Sequence, residues 1–432
     1  MVVVAAASSL VLAACGGSSD SGSSSSASAS ESASASESAS DGGGGTTGAC
    51  DVLKVGGLLP QTGSLAFLGP PEFAGVELAV KEINEAGGVL GSEMEWFPGD
   101  SGDTSTNIAS TTVDQQLARG VSAIIGAASS SVSLTVIDKI TSAGVVQFSP
   151  ANTSIELSTY PDKGLYFRTA PPDTFQGAVL GNLASSDGKQ NAAILALQDA
   201  YGEGLADSFE QNFTDAGGNV VSKIIYDPKA ATFEAEVGKT KAANPDAIVL
   251  IGFDESKKIL QELIKQGIGP DKVQLYLVDG NLSQTLADGL PKGIMEGVKG
   301  TLPGAESSEE FKTALKTVNP SLEEYAYAPE SYDAMMLIAL AAEAAGDCSG
   351  QAMADTMRAV SEGGEKCSTF ADCKELIAAG TDIDYEGKSG PGDLNDVGDP
   401  AKATMGIYEY GADNKYTPLD FITGDVPAPA GS

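Results

Sequence analysis

VSAIIGAASSSVSLTVIDKITSAGVVQFS, residues 121–149, is the stretch that decides the fold. Two short apolar runs, VSAIIG (121–126) and VVQFS (145–149), flank a segment at 131–142 that reads as a helix. Strand, helix and strand within so few residues make a βαβ unit. The first strand is apolar apart from Ser122 and does not alternate, so both faces are buried and the sheet is parallel.

The same pattern extends outward in both directions. Upstream, VLKVGGLL (52–59) reads as a strand and PEFAGVELAVKEINEAGG (71–88) as a helix. That helix carries Phe73, Val76, Val80 and Ile83 on one face and stops at Gly87-Gly88. A strand around 94–97 and a helix at 105–118 complete the first series. Downstream, the strands AAILAL (192–197), NVVSKIIY (219–226), AIVLIG (247–252) and VQLYLV (273–278) are separated by helices at 202–216, 232–243 and 255–266. Two series of alternating βα units predict an α/β protein with two similar, doubly wound lobes. The joint falls near YFRTAPPDTF (166–175), where Pro171-Pro172 break the pattern and Asp173 is placed to cap the next helix. Helices follow at 307–318, opened by a capping box Ser307…Glu310, at 329–345 and at 350–361, then a strand at 404–411. The apolar stretch 334–345 reads as a buried helix.

Composition narrows the function. The 432 residues hold 59 Asp plus Glu against 25 Lys plus Arg, a net charge of −34. That surface repels nucleic acid and anionic lipid at long range, so no nucleic-acid partner is expected. There is no histidine, which removes Ser-His-Asp and Cys-His catalysis and His-ligated zinc. No P-loop, GxSxG, HExxH or CxxC motif occurs, nor a dinucleotide fingerprint in the folded region. No enzyme activity, metal or cofactor is expected.

The N-terminal stretch Val2 to Ala14 is apolar or small, of a length that suits an export signal. It ends in LAAC (12–15), which resembles the lipobox of bacterial lipoproteins, in which the cysteine is lipidated. Gly16 to Gly48 carry no aromatic or branched aliphatic residue and read as a flexible tether. Such a coil spans roughly 30 Å on average and roughly 100 Å at full stretch. The expected organisation is a signal peptide at 1–14, a lipidated Cys15 and tether at 15–49, and a disordered tail at 426–432.

In open α/β sheets ligands gather at the carboxyl ends of the strands, so the loops there are the informative places. After Gly126, the residues Ser129, Ser130 and Ser131 stand at a helix start, where free N–H groups, a positive dipole end and hydroxyls suit a carboxylate. One cap needs only one such residue. After VVQFS, Ala151 to Thr153 could add backbone donors. In the second lobe Tyr201 and Phe253 sit at strand-to-helix corners, and Asp279 follows a buried strand. Asp279 is either a helix cap or the counter-charge for a cationic ligand. Anion donors on one lobe and a carboxylate with aromatics on the other suit a zwitterion, an α-amino acid.

At this point the blocks KVGGLLPQTGSLAFLGPPEFAGVELAVKEINEAGGVLG, AIIGAASSSVSLTVIDKITSAGVVQFSPANTSIELS, YFRTAPPDTFQGAVLGNLA, QDAYGEGLADSFEQNFTDAGGNVV and AYAPESYDAMMLIALAAE occur in order. Together they resemble the branched-chain amino-acid (leucine/isoleucine/valine-type) substrate-binding proteins of ABC importers, over about residues 52 to 411. The resemblance implies a type I periplasmic-binding-protein fold: two Rossmann-like lobes with parallel sheets, joined by three crossovers and closing on the ligand. Lobe 1 is expected to comprise 50–170 and 303–403, and lobe 2 to comprise 171–302 and 404–425. The family's ligand carboxylate contacts carry over to Ser130 and to the main chain of Ala151 and Thr153. Its ammonium contact carries over to Asp279, with aromatic walls at Tyr201 and Phe253. Where leucine-type members commonly have a tyrosine, this chain has Leu68, beside Phe67.

The implied protein is a monomer that hands a small amino acid to an ABC permease. It is lipid-anchored at the extracytoplasmic face of the bacterial cell membrane. Alternatives are a binding protein for an amide, urea or short-chain acid, or an extracellular carboxylate-dependent hydrolase. Four cysteines besides Cys15 allow three pairings. Cys367 and Cys373, six apart, suit one local bridge, which leaves Cys50 with Cys348.

Overall fold

The computed structural model describes residues 51–428. The expected signal peptide and tether, with Cys15 and Cys50, and residues 429–432 lie outside the described residues.

The first sheet is built from β1 (Lys54–Leu58), β2 (Glu95–Phe97), β3 (Ala123–Gly126), β4 (Val146–Ser149) and β5 (Tyr166–Arg168), in the order β2-β1-β3-β4-β5. All four pairings are parallel. The helices α1 (Gly69–Glu85), α2 (Ile108–Ala118) and α3 (Ser130–Ser142) connect the first four strands. Successive side chains on a strand point to opposite faces, and β3 uses both. Ile125 packs in one core with Val76 and Ile83 of α1, while Ile124 packs in another with Val113 of α2 and Val136 of α3.

The chain then leaves for a second sheet through α4 (Asp173–Ser186). There β6 (Asn191–Leu197), α5 (Ala200–Asp215), β7 (Asn219–Tyr226), α6 (Glu234–Ala242), β8 (Ala247–Ile251), α7 (Ser256–Gln266), β9 (Gln274–Leu277) and β10 (Lys299–Pro303) follow in turn. It returns to the first lobe for α8 (Glu309–Val318), α9 (Ala328–Ala345), α10 (Gly350–Met357), β11 (Glu365–Cys367), α11 (Phe370–Ala378) and β12 (Ile383–Tyr385). A third passage brings β13 (Lys402–Tyr410) and β14 (Tyr416–Asp425) back to the second sheet, whose order is β14-β13-β10-β9-β8-β6-β7. β13 pairs antiparallel with both β10 and β14; the remaining pairings in that sheet are parallel.

The apolar 334–345 segment is the body of α9, buried from Ala328 to Ala342. It lies against α1 so closely that a Cβ on Gly75 would come within 2.2 Å of the Ala328 carbonyl oxygen. No helix among the described residues is long and apolar enough to cross a membrane. Cys367 and Cys373 form a disulfide with Cα atoms 5.3 Å apart. Cys348 is also disulfide-bonded, and Cys50, its expected partner, lies outside the described residues.

Several local expectations shift. The cap of α8 is Ser308, not Ser307: its hydroxyl accepts from the Phe311 amide at 3.1 Å. Asp173 does not cap α4. Pro172 takes that position, and Asp173 is the first helical residue, its amide donating to the Thr153 carbonyl at 2.7 Å. Five strands, β5, β10, β11, β12 and β14, are absent from the sequence reading. β5 lies in the segment read as a joint, and β10 and β14 in stretches with no strand pattern, so pairing defines them. Val426 and Pro427, placed in the tail, are tied down by bonds to Ala401 and Thr174.

Candidate functional site

The lobe 1 side is assembled from the starts of two loops. Ser129 caps α3, its hydroxyl accepting from the Val132 amide at 3.3 Å. The amides of Ser130 and Ser131, in the first turn, have no intrahelical acceptor. Ser130 is buried, and its hydroxyl oxygen accepts from the amides of Thr153 at 3.3 Å and Ser154 at 3.2 Å. A hydroxyl has two acceptor positions and one proton, so the Ser130 proton is left to donate elsewhere. The Ala151 amide donates to Ser149 Oγ at 3.2 Å. The backbone donors of this loop are therefore already engaged by neighbouring hydroxyls, a detail the sequence does not reveal.

The loop is held from behind by Arg168, fully buried at the end of β5. Its guanidinium donates to the carbonyls of Asn152 at 3.2 Å and Ser154 at 2.9 Å, on either side of Thr153. It pairs with Asp399 at 2.6 Å, and Ser158 bridges the two side chains.

On the lobe 2 side Asp279 follows β9, and no regular helix comes after it, so its carboxylate caps nothing. Oδ1 accepts from the Tyr201 hydroxyl at 2.7 Å and Gln176 Nε2 at 2.9 Å; Oδ2 accepts from the Tyr327 hydroxyl at 2.7 Å. Burial pushes the Asp279 carboxyl up from its ordinary range, and the donations from Tyr201, Tyr327 and Gln176 pull it back. Tyr201 and Phe253 stack with ring centres 5.6 Å apart and planes 9° apart. Behind Asp279 lies Asp173, buried and without a hydrogen bond to its carboxylate. Burial, and after it the Asp279 charge, push the Asp173 carboxyl well above the usual range.

All eight residues read from the loops, Leu68, Ser129, Ser130, Ala151, Thr153, Tyr201, Phe253 and Asp279, line one cavity between the lobes. Leu65, Ala128, Gly280 and Tyr327 complete it. The cavity measures about 10 Å³, room for about one water. The lobes touch across it: Ser131 Oγ donates to Asp199 at 3.0 Å, and Ser154 Oγ to the Ala200 carbonyl at 3.2 Å. Outside lies a vestibule of about 520 Å³ lined by Asp103, Asp199, Asp227, Asp254 and Glu255 against a single lysine, Lys229. An entrance of that sign attracts positive groups.

Sequence reasoning missed Tyr327 and Gln176. Tyr327 precedes α9 with φ 60°, a conformation costing about 1–3 kcal/mol for a residue with a side chain. Neither residue lies in a loop after a strand, so the loop rule does not reach them.

The periplasmic binding protein family model matches residues 52–365. The leucine-, isoleucine-, valine-, threonine- and alanine-binding protein of Pseudomonas aeruginosa is 28% identical over 325 residues, covering 72% of this chain and 83% of that one. The branched-chain amino acid transporter substrate binding protein LivJ of Streptococcus pneumoniae, solved with isoleucine, superposes with a TM-score of 0.71 at 22% identity, covering 87% and 100% of the two chains. A solute binding protein of an ABC transporter from Rhodopseudomonas palustris, solved with p-hydroxybenzoic acid, gives a TM-score of 0.70 at 17% identity, covering 87% and 98%. The chain belongs to the periplasmic binding protein family and has the two-lobed type I fold of its leucine/isoleucine/valine-type substrate-binding proteins.

Proposed function

We propose that the protein captures a small α-amino acid of the branched-chain type between its lobes and presents it to the permease of an ABC importer. One observation carries the reading: carboxylate donors on lobe 1 and a buried, triply hydrogen-bonded Asp279 on lobe 2 face the same cavity. The ligand carboxylate would take the Ser130 hydroxyl proton and the first-turn amides of α3, where the helix dipole favours negative charge. The ammonium would meet Asp279, and the aliphatic side chain Leu65, Leu68 and the Phe253 ring. Held at both ends by opposite lobes, the ligand favours the closed form through contacts available only there. The permease can then tell loaded protein from empty by shape. No step of bond making or breaking is part of this role.

The test is to extract and identify what the purified protein retains, then titrate it by calorimetry with leucine, isoleucine, valine, alanine and 4-hydroxybenzoate. Recovery of an unaltered amino acid and preference for leucine, isoleucine or valine over alanine are expected. Chemical turnover of the ligand, or binding of the aromatic acid alone, would rule the proposal out.

The LAAC seam gives the same protein a place to work. Lipidation at Cys15 with two or more acyl chains anchors stably, whereas one chain holds only marginally. The mature protein is then expected in the membrane fraction, and Cys15→Ser released from it or left unprocessed. A processed Cys15→Ser variant retained as well as wild type would dismiss the anchor.

A further inference from the structure

Behind the cleft, where the second crossover passes between the sheets, lies another cavity, of about 220 Å³. Its walls come from both lobes: Tyr327 and Glu330 at the start of α9, and Tyr408 and Tyr416 on β13 and β14. Tyr327 is the single residue it shares with the ligand cavity.

Glu330 is the unexplained group there. It is 1% exposed, and neither carboxylate oxygen has a hydrogen-bond partner within the protein. Oε1 lies against the crossover itself: a Cβ on Gly304, whose φ is 106°, would sit 2.2 Å from it. A second buried carboxylate, Glu72 on α1, also lacks a partner and feels the Glu330 charge. Burial pushes both carboxyls well above their ordinary range, and no positive group acts on either. The one lysine lining the cavity, Lys312, is bonded to Glu309 at 2.8 Å and lies over the Tyr325 ring. Buried polar groups are almost always satisfied, and a buried carboxylate calls for a positive partner. The cavity is too large for a bare metal ion alone, smaller than a drug-sized pocket, and lined by four tyrosine rings, Tyr325, Tyr327, Tyr408 and Tyr416. Faces of such rings attract ammonium groups.

We propose that this hinge cavity is a second binding site that takes a small organic ammonium ion, with Glu330 as its counter-charge and Tyr327, Tyr408 and Tyr416 as its walls. Only the ionised Glu330 carboxylate supplies the counter-charge, and burial, with the Asp333 charge beside it, raises that carboxyl, so binding strengthens as pH rises. The experiment titrates the full chain with tetramethylammonium and methylammonium chlorides at mildly alkaline pH, with sodium chloride at equal ionic strength as the blank. Saturable binding is expected in wild type, weakened at least tenfold in Glu330→Gln and in Tyr408→Leu. Glu330→Gln keeps the shape and loses a buried charge, and Tyr408→Leu supplies an independent reading should that variant not fold. Absence of saturable binding in wild type, or binding within twofold of wild type in Glu330→Gln or Tyr408→Leu, overturns the proposal.

Discussion

Replacing Asp279 with alanine is expected to weaken the binding of the proposed amino-acid ligand by a hundredfold or more. The substitution strips a buried ammonium of its counter-charge, a loss of about 3–5 kcal/mol. It also leaves the hydroxyls of Tyr201 and Tyr327 and the amide of Gln176 without their common acceptor. Asn at the same position keeps the shape and loses the charge, so comparison of the two separates electrostatics from packing. The pH dependence has a definite sign. The ammonium needs an ionised Asp279, and burial has raised that carboxyl's pKa. Affinity is therefore full above the raised pKa and falls as pH drops through it, by about tenfold per unit well below. Calorimetry across pH on wild type, Asp279→Ala and Asp279→Asn measures both effects. If Asp279→Ala binds within threefold of wild type while folded, the amino-acid reading loses its main support.

The second large effect concerns stability. Arg168 is fully buried and Asp399 is 2% exposed, so Asp399→Ala strands a guanidinium in the interior. Breaking a buried pair on one side costs about 3–5 kcal/mol. The denaturation midpoint should fall accordingly. In addition, the loop of Ala151 and Thr153 loses part of its support, because the Arg168 that holds the Asn152 and Ser154 carbonyls is no longer held by Asp399. Ligand affinity should decline even under conditions where the variant is folded. An apolar double replacement, Arg168→Met with Asp399→Leu, should recover much of the stability but not the loop's order. A double variant no more stable than Asp399→Ala would show that the pair's worth is not electrostatic. Asp399 lies beyond the 52–365 family match, so the C-terminal segment is part of the site's support.

Much of this protein is written locally. The consecutive apolar positions of β3 and β8 state that two faces are covered, because a strand with one wet face must alternate. Once the sheets are parallel, the loops at their carboxyl ends must converge, which is why residues as far apart as Leu68 and Asp279 line one cavity. The serines at 129–131 advertise a helix start through their own backbone chemistry.

Other features had no local signal. Gln176 and Tyr327 reach Asp279 from 103 and 48 residues away, and nothing in their neighbours marks them as its donors. β14 is an edge strand, largely exposed and carrying Pro418, and becomes a strand only through its pairing with β13. Arg168 and Asp399 stand 231 residues apart, and Glu72 and Glu330 come from different helices. Periodicity reports which side of an element is buried. Which polar groups then face each other, and which are left without a partner, depends on how separate elements dock. That was decided by the tertiary structure alone.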